Sequence, residues 1–234
     1  MRGLGFCAAL ALGLLVRLHP AAAQADVALV LAVDVSGSVN DDRFQLQRQG
    51  IAGALDSDAL AAVVSAGAHQ TIEIAVVEWA EEQRVVVPWT VIHNRGDLAG
   101  LAMRLRRAPR SWVHTMTDPA GGIAAADALF QSVPLTPGRK VIDVSGDGKQ
   151  NVGEIATSES RDAAVAHGVT VNGLPITSGN EPDVDAWYRA NVVGGSDAFL
   201  VVANGFDAFA EAFRQKLTRE IAGRVAGSRL ALLR

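Results

Sequence analysis

Cysteine is all but missing from this chain: Cys7 is the only one among 234 residues. No intramolecular disulfide can form, so the fold must be held by its core alone. Aromatic residues make up 5% of the chain, with a single tyrosine. The four tryptophans, Trp79, Trp89, Trp112 and Trp187, are therefore read as packing residues and not as a stacking platform. Basic residues are outnumbered, 21 against 25 acidic. Losing Arg2 and Arg17 with the N-terminal segment described below takes the net charge from −4 to −6, which leaves no basic stripe for a phosphate backbone and argues against nucleic acid. The histidines His69, His93, His114 and His167 are scattered and form no H-E-x-x-H pair, which disfavours a zinc hydrolase. There is no G-x-S-x-G elbow for a serine nucleophile. No glycine-rich phosphate loop follows the first strand, so nucleotide binding has little support.

The N-terminus has what the rest lacks. Arg2 gives a positive start and residues 4–16 form an uncharged apolar stretch. Ala21-Ala22-Ala23 before Gln24 supplies an A-x-A cleavage site. Residues 1–23 are thus expected to be a signal peptide. About 13 apolar residues fall short of the ~20 that span a bilayer, so no stable membrane insertion is expected after cleavage. Cys7 precedes most of the apolar stretch, where a lipid-acceptor cysteine should follow it. The mature chain is expected to be exported, periplasmic or secreted. It would form one domain over residues 24–223, with residues 224–234 as a C-terminal tail.

The chemistry gathers at two strand ends. Val27-Ala28-Leu29-Val30-Leu31-Ala32-Val33 reads as a strand buried on both faces, and it runs into Asp34-Val35-Ser36-Gly37-Ser38. A carboxylate and two hydroxyls at the end of such a strand need polar partners. Oxygen ligands spaced by one residue suit a hard cation, although Asp and Ser are also ordinary turn residues. Over a hundred residues later, Lys140-Val141-Ile142-Asp143-Val144-Ser145-Gly146-Asp147-Gly148 repeats the pattern. In an open parallel sheet the carboxyl ends of the strands share one rim, so Asp34 and Asp147 are placed to converge. Between them Thr115-Met116-Thr117-Asp118-Pro119-Ala120-Gly121-Gly122 forms a hydroxyl-bearing loop that leads into a helix.

These motifs resemble the metal-ion-dependent adhesion site (MIDAS) of von Willebrand factor A (vWA) domains: D-x-S-x-S, a loop threonine, then an aspartate before glycine. Matched position by position, the resemblance implies Asp34, Ser36, Ser38, Thr117 and Asp147 as the metal-site residues. Thr117 fits because residues 117–123 lie on T-x-x-x-x-G-[IA] without a gap, and Thr115 is the alternative. The wording L-A-V-D-V-S-G-S-V, V-E-W, V-P-W-T, I-D-V-S-G-D-G and N-G-L-P-I further resembles an exported bacterial vWA-like family of uncharacterised function. The implied fold is a three-layer α/β/α, Rossmann-like domain with a mostly parallel sheet and one antiparallel edge strand. Strand order and handedness rest on that resemblance.

The resemblance also implies a division of labour at the ion. Ser36 and Ser38 would bind it directly, and Thr117 directly or through water. Asp34 and Asp147 would hold coordinating waters. The cation would be divalent, Mg²⁺ first, with Mn²⁺ or Ca²⁺ as alternatives. An open position would then accept a carboxylate from a protein partner, which makes the chain a binding module and not an enzyme. The alternatives are a Mg²⁺-assisted hydrolase, with Glu78 or Asp118 as the only candidate bases, and a vWA scaffold that uses no metal. Lys149 is a further candidate for holding an acidic ligand.

Elsewhere, periodicity and capping predict the framework. Asn40 should cap a helix ending near Leu55, with Asp41 and Asp42 at its positive end, and a polar loop should follow. Strands are expected over residues 71–78 and 84–89 around a short connection, hence a hairpin. Asp97 should cap the helix carrying Leu98, Leu101, Ala102 and Leu105. Asp118 and Pro119 should open a helix to about Gln131. A helix from Ser158 to Gly168, a strand over 169–176, a short helix over 181–191 and a strand over 198–203 follow. The helix over residues 207–221 closes the domain, with Gly223 ending it.

Overall fold

The computed structural model describes residues 23–112, 116–178 and 181–223. The predicted signal segment up to residue 22, Thr115, His114 and the tail from 224 lie outside the described residues. In chain order the first half holds β1 (Gln24–Ala25), β2 (Val27–Asp34), α1 (Asp41–Leu55), α2 (Asp58–Ser65), β3 (Ile72–Trp79), β4 (Gln83–Ile92) and α3 (Arg95–Arg107). The second half holds α4 (Pro119–Leu129), β5 (Thr136–Pro137), β6 (Lys140–Gly146), α5 (Thr157–Ala166), β7 (Val169–Pro175), α6 (Val184–Asn191) and α7 (Phe209–Ala222).

The central sheet has the order β4-β3-β2-β6-β7. Every pairing is parallel except β3 with β4, the predicted hairpin. Strand β2 lies in the middle because its run of β-branched and aliphatic residues can be buried on both faces. Side chains alternate across it with period two. Val27, Leu29, Leu31 and Val33 join Ile51, Leu101 and Phe213 on the face covered by α1, α3 and α7. Ala28, Val30 and Ala32 join Ile123, Ala164 and Tyr188 on the face covered by α4, α5 and α6. Small residues on the second face let α4 approach closely. A Cβ on Gly122 would lie 2.8 Å from Trp79 Cγ, so the helix is seated directly on that indole.

Three local expectations needed correction. Residues 58–65 form α2 instead of continuing a polar loop; Ser57 Oγ accepts the Leu60 amide as its cap, and Leu60 and Val64 are buried one turn apart. The cap of α3 is Asn94, whose Oδ1 accepts the Gly96 and Asp97 amides. Asp97 is the other half of a capping box, accepting the Asn94 amide. Finally, residues 198–203 make only isolated parallel bridges to β7. Val201 N donates to Gly173 O and Ala203 N to Pro175 O, but Pro175 has no N–H to return, and the ladder breaks there.

Candidate metal centre

The rim at the carboxyl end of the sheet is built by adjacent central strands. Asp34 ends β2, and Asp147 follows β6, its direct neighbour. Asp34 is fully buried. Its Oδ1 accepts the Ser36 amide at 2.8 Å, and Oδ2 has no partner among the described residues. That self-turn directs the chain so that Ser36 Oγ and Ser38 Oγ lie 3.3 Å apart. Ser38 Oγ in turn donates to Asp147 Oδ1 at 2.5 Å. The four residues therefore form one contiguous oxygen cluster across two strands.

Thr117 reaches the same place from α4. Pro119 opens that helix, as expected, although Asp118 makes no side-chain cap. The loop is fixed at both sides: Asp118 N donates to Ala80 O at 3.1 Å. Thr117 N donates to Asn151 Oδ1 at 2.8 Å, and Asn151 N donates back to Thr117 O at 3.0 Å. A cavity of about 370 Å³ is lined by Ser38, Thr117, Asp147 and Gln150, among others.

Burial, then the charge of Asp147, pushes the Asp34 carboxyl up to about 7. Burial likewise raises Asp147, opposed by the Ser38 hydroxyl and by Arg43. Gly146 keeps the space between the two strands open. A Cβ there would come within 2.6 Å of both Asp34 Oδ2 and Tyr188 Oη. An unsatisfied buried carboxylate oxygen, a glycine that preserves the gap beside it and three converging hydroxyls fit a hard, oxygen-seeking divalent cation.

Several neighbours were not read from the sequence. Tyr188 is fully buried with its hydroxyl unpartnered among the described residues, and burial followed by the charge of Asp34 drives its ionisation well above the usual range. Arg43 donates to Ser38 O at 2.7 Å and lies 3.3 Å from Asp147 Oδ2. Gln47 Nε2 holds Asp34 O at 3.2 Å. Asn151 carries no spacing signal toward Thr117; Arg43 and Gln47 recur at i and i+4 on α1, which was the available clue.

Other sequence candidates are employed differently. Glu78 is buried, and its carboxylate is ion-paired with Arg48 and accepts the Ser111 amide. It sits among Val33, Phe44 and Leu105, on the face of the sheet away from Tyr188. Asp118 packs toward Gly121 and Gly153. Neither candidate base lines the cavity. Lys149 does line it, but its ammonium is shared by Asp183 at 2.7 Å and Glu181 at 3.3 Å, so its charge is already answered.

The fold matches those of solved vWA proteins. Proximal thread matrix protein 1 from the mussel byssus aligns with a TM-score of 0.60 at 16% identity, over 86% of this chain and 49% of that one. A structure of the same mussel protein with a zinc-occupied MIDAS motif aligns at 0.58 and 18%, over 86% and 48%. The von Willebrand factor type A protein of Catenulispora acidiphila aligns at 0.55 and 19%, over 85% and 43%. BatB of Bacteroides thetaiotaomicron aligns at 0.56 and 16%, over 84% of this chain and 98% of that one. The chain thus spans about half the length of the mussel and Catenulispora proteins, and at these identities the likeness is one of fold. No curated protein matches it in sequence.

The architecture is that of a vWA-like domain, a five-stranded, mostly parallel sheet between helical layers. The chain belongs to the family described as "Protein of unknown function (DUF1194)", which matches residues 24–225. No helix among the described residues is long and apolar enough to cross a membrane.

Proposed function

We propose that this chain is an exported binding module that takes up a divalent cation at the β2–β6 rim and uses it to engage an acidic group on a protein partner. The observation that carries this is Asp34: a fully buried carboxylate with one oxygen unpartnered, beside a gap kept open by Gly146. Leaving such a group unsatisfied costs about 1–3 kcal/mol, a cost that a bound cation relieves. Asp34, Ser36, Ser38, Thr117 and Asp147 would hold the ion. When bound, it supplies a Lewis-acidic contact for a carboxylate oxygen. The chain's own residues set the geometry: Asn151 fixes Thr117, the Ser36 amide fixes Asp34, and Ser38 fixes Asp147. Binding is favoured over turnover because Glu78 is committed to Arg48, and Asp118 does not line the cavity. Mg²⁺ is the first choice for an all-oxygen site, and the zinc seen in the mussel protein's MIDAS adds that ion to the test.

The test is thermal unfolding of the metal-stripped mature protein, titrated with Mg²⁺, Mn²⁺, Ca²⁺ and Zn²⁺. An ion that binds only the folded state adds about 2.7 kcal/mol at a hundredfold excess over its dissociation constant. The shift is expected in the wild type and absent in Asp34→Ala and Asp147→Ala. If no ion shifts a folded wild type, the proposal falls. Capture of a partner that survives EDTA would overturn the metal-mediated half of it.

A further inference from the structure

A second cavity, of about 430 Å³, lies at the amino-terminal end of the sheet. It is bordered by the start of β6, the start of β7 and the end of α7. Strand β6 runs the seven residues between the two sites, which at about 3.3 Å per residue separates them by roughly 20 Å. Two arginines border this cavity, Arg139 and Arg219. Both make direct contacts with neutral groups, and the carboxylates of Asp26 and Glu220 also act on Arg139 from a distance. Arg139 Nη2 donates to Ile221 O at 3.0 Å, at the carbonyl end of α7, where Gly223 (φ 63°) turns the backbone past the guanidinium. Arg219 lies over the Phe199 ring, 3.7 Å from its centroid. Among the described residues neither guanidinium is in an ion pair, whereas Arg43 and Lys149 at the metal rim both are.

The inner wall is polar and buried. Asn172 and Glu220 line it, both 2% exposed. Glu220 Oε1 accepts Asn172 Nδ2 at 2.9 Å and Lys216 Nζ at 2.5 Å, while Oε2 has no hydrogen-bond partner among the described residues. Burial and then the adjacent Asp143 raise the Glu220 carboxyl to about 8, opposed by Lys216. The Lys216 ammonium beside it answers its charge. Asp197 also borders the cavity, at its exposed mouth.

We propose that this cavity is a second binding site, for a small anion of the carboxylate or phosphate type, with Arg139 and Arg219 as its charged jaws above the Asn172–Glu220 wall. Pre-positioned, unpaired guanidinium groups suit such ligands because their planar N–H forks match both acid types. The site is independent of the metal rim and needs no ion there.

Isothermal titration of the mature chain, at constant ionic strength, would use inorganic phosphate, succinate and chloride as separate probes. Saturable binding of phosphate or succinate, but not of chloride, is expected, and which of the two binds assigns the acid type. Arg139→Gln and Arg219→Gln, both at exposed positions, should each weaken it about tenfold or more, because charge-assisted bonds contribute roughly 1.5–3 kcal/mol. Asp34→Ala should leave it unchanged. Equal heats from chloride, no saturable binding of either acid, or undiminished binding in both folded arginine variants would each overturn the proposal.

Discussion

Asp34 and Asp143 occupy neighbouring strands of one sheet and are equally buried, yet they are treated in opposite ways. Asp143 lies 2.6 Å from Lys216 Nζ, which also contacts Glu220 at 2.5 Å, all three with side chains no more than 1% exposed. Asp34 has no cation of its own within the described residues, only the Ser36 amide on one oxygen. A buried carboxylate without a counter-charge either keeps its proton or waits for an external cation. The lysine-paired cluster carries its own counter-charge and belongs to the fold, although the Asp143 oxygens and Glu220 Oε2 have no hydrogen-bond partner among the described residues. The rim cluster has no such internal cation, and that difference is what the proposed ion site rests on.

The comparison breaks most sharply at Lys216. Lys216→Met should leave two carboxylates facing each other in the core and cost about 3–5 kcal/mol, measured by urea unfolding at neutral pH. A loss as small as that of a surface lysine would mean that the cluster is not self-neutralising.

Glu220 gives an effect of intermediate size through pH. Its carboxyl titrates near 8 in the fold against an ordinary 4.5, so the unfolded chain releases the proton first. As pH rises from about 4.5 to 8 the folded state holds more protons, and this group draws stability down across that window. Outside it the slope vanishes. Glu220→Gln should make the profile less steep between those limits, leaving the like-signed contribution of Asp34, read as denaturation midpoints at several pH values.

The smallest expected effect is at Arg43, the cation paired with Asp147 at the rim. It is partly exposed and 3.3 Å from Asp147 Oδ2. Arg43→Gln should tighten divalent-ion binding by no more than about fivefold, the range of a solvent-screened pair, with little change in metal-free stability. Weaker binding in that variant would instead make Arg43 a support for the Asp147 carboxylate.

Much of this was open to reading in the chain itself. The apolar runs ending in Asp34 and Gly146, the Pro119 start of α4 and the hairpin from residue 72 to residue 92 are local patterns, each fixed by a period or a cap. Helix α2 escaped because eight residues with two buried side chains give periodicity little to show. The strand expected at 198–203 failed for a reason visible only in its neighbour, the missing amide of Pro175. The roles of Asn151, Tyr188 and Arg43 at the rim are contacts across 34 residues or more, and no spacing rule reaches that far.

By itself the sequence determined the alternation of elements, the two strand-end carboxylates and the hydroxyls beside them, because backbone propensity and side-chain period act over a few residues. The tertiary structure decided which charges were already answered. Glu78, Lys149 and Asp143 look as available in the sequence as Asp34 does. Folding brings Arg48 to the first, Glu181 and Asp183 to the second and Lys216 to the third. Ion pairing falls off over a few ångströms of space and is indifferent to distance along the chain, so only the packed molecule shows that the Asp34 carboxylate lacks a cation of its own.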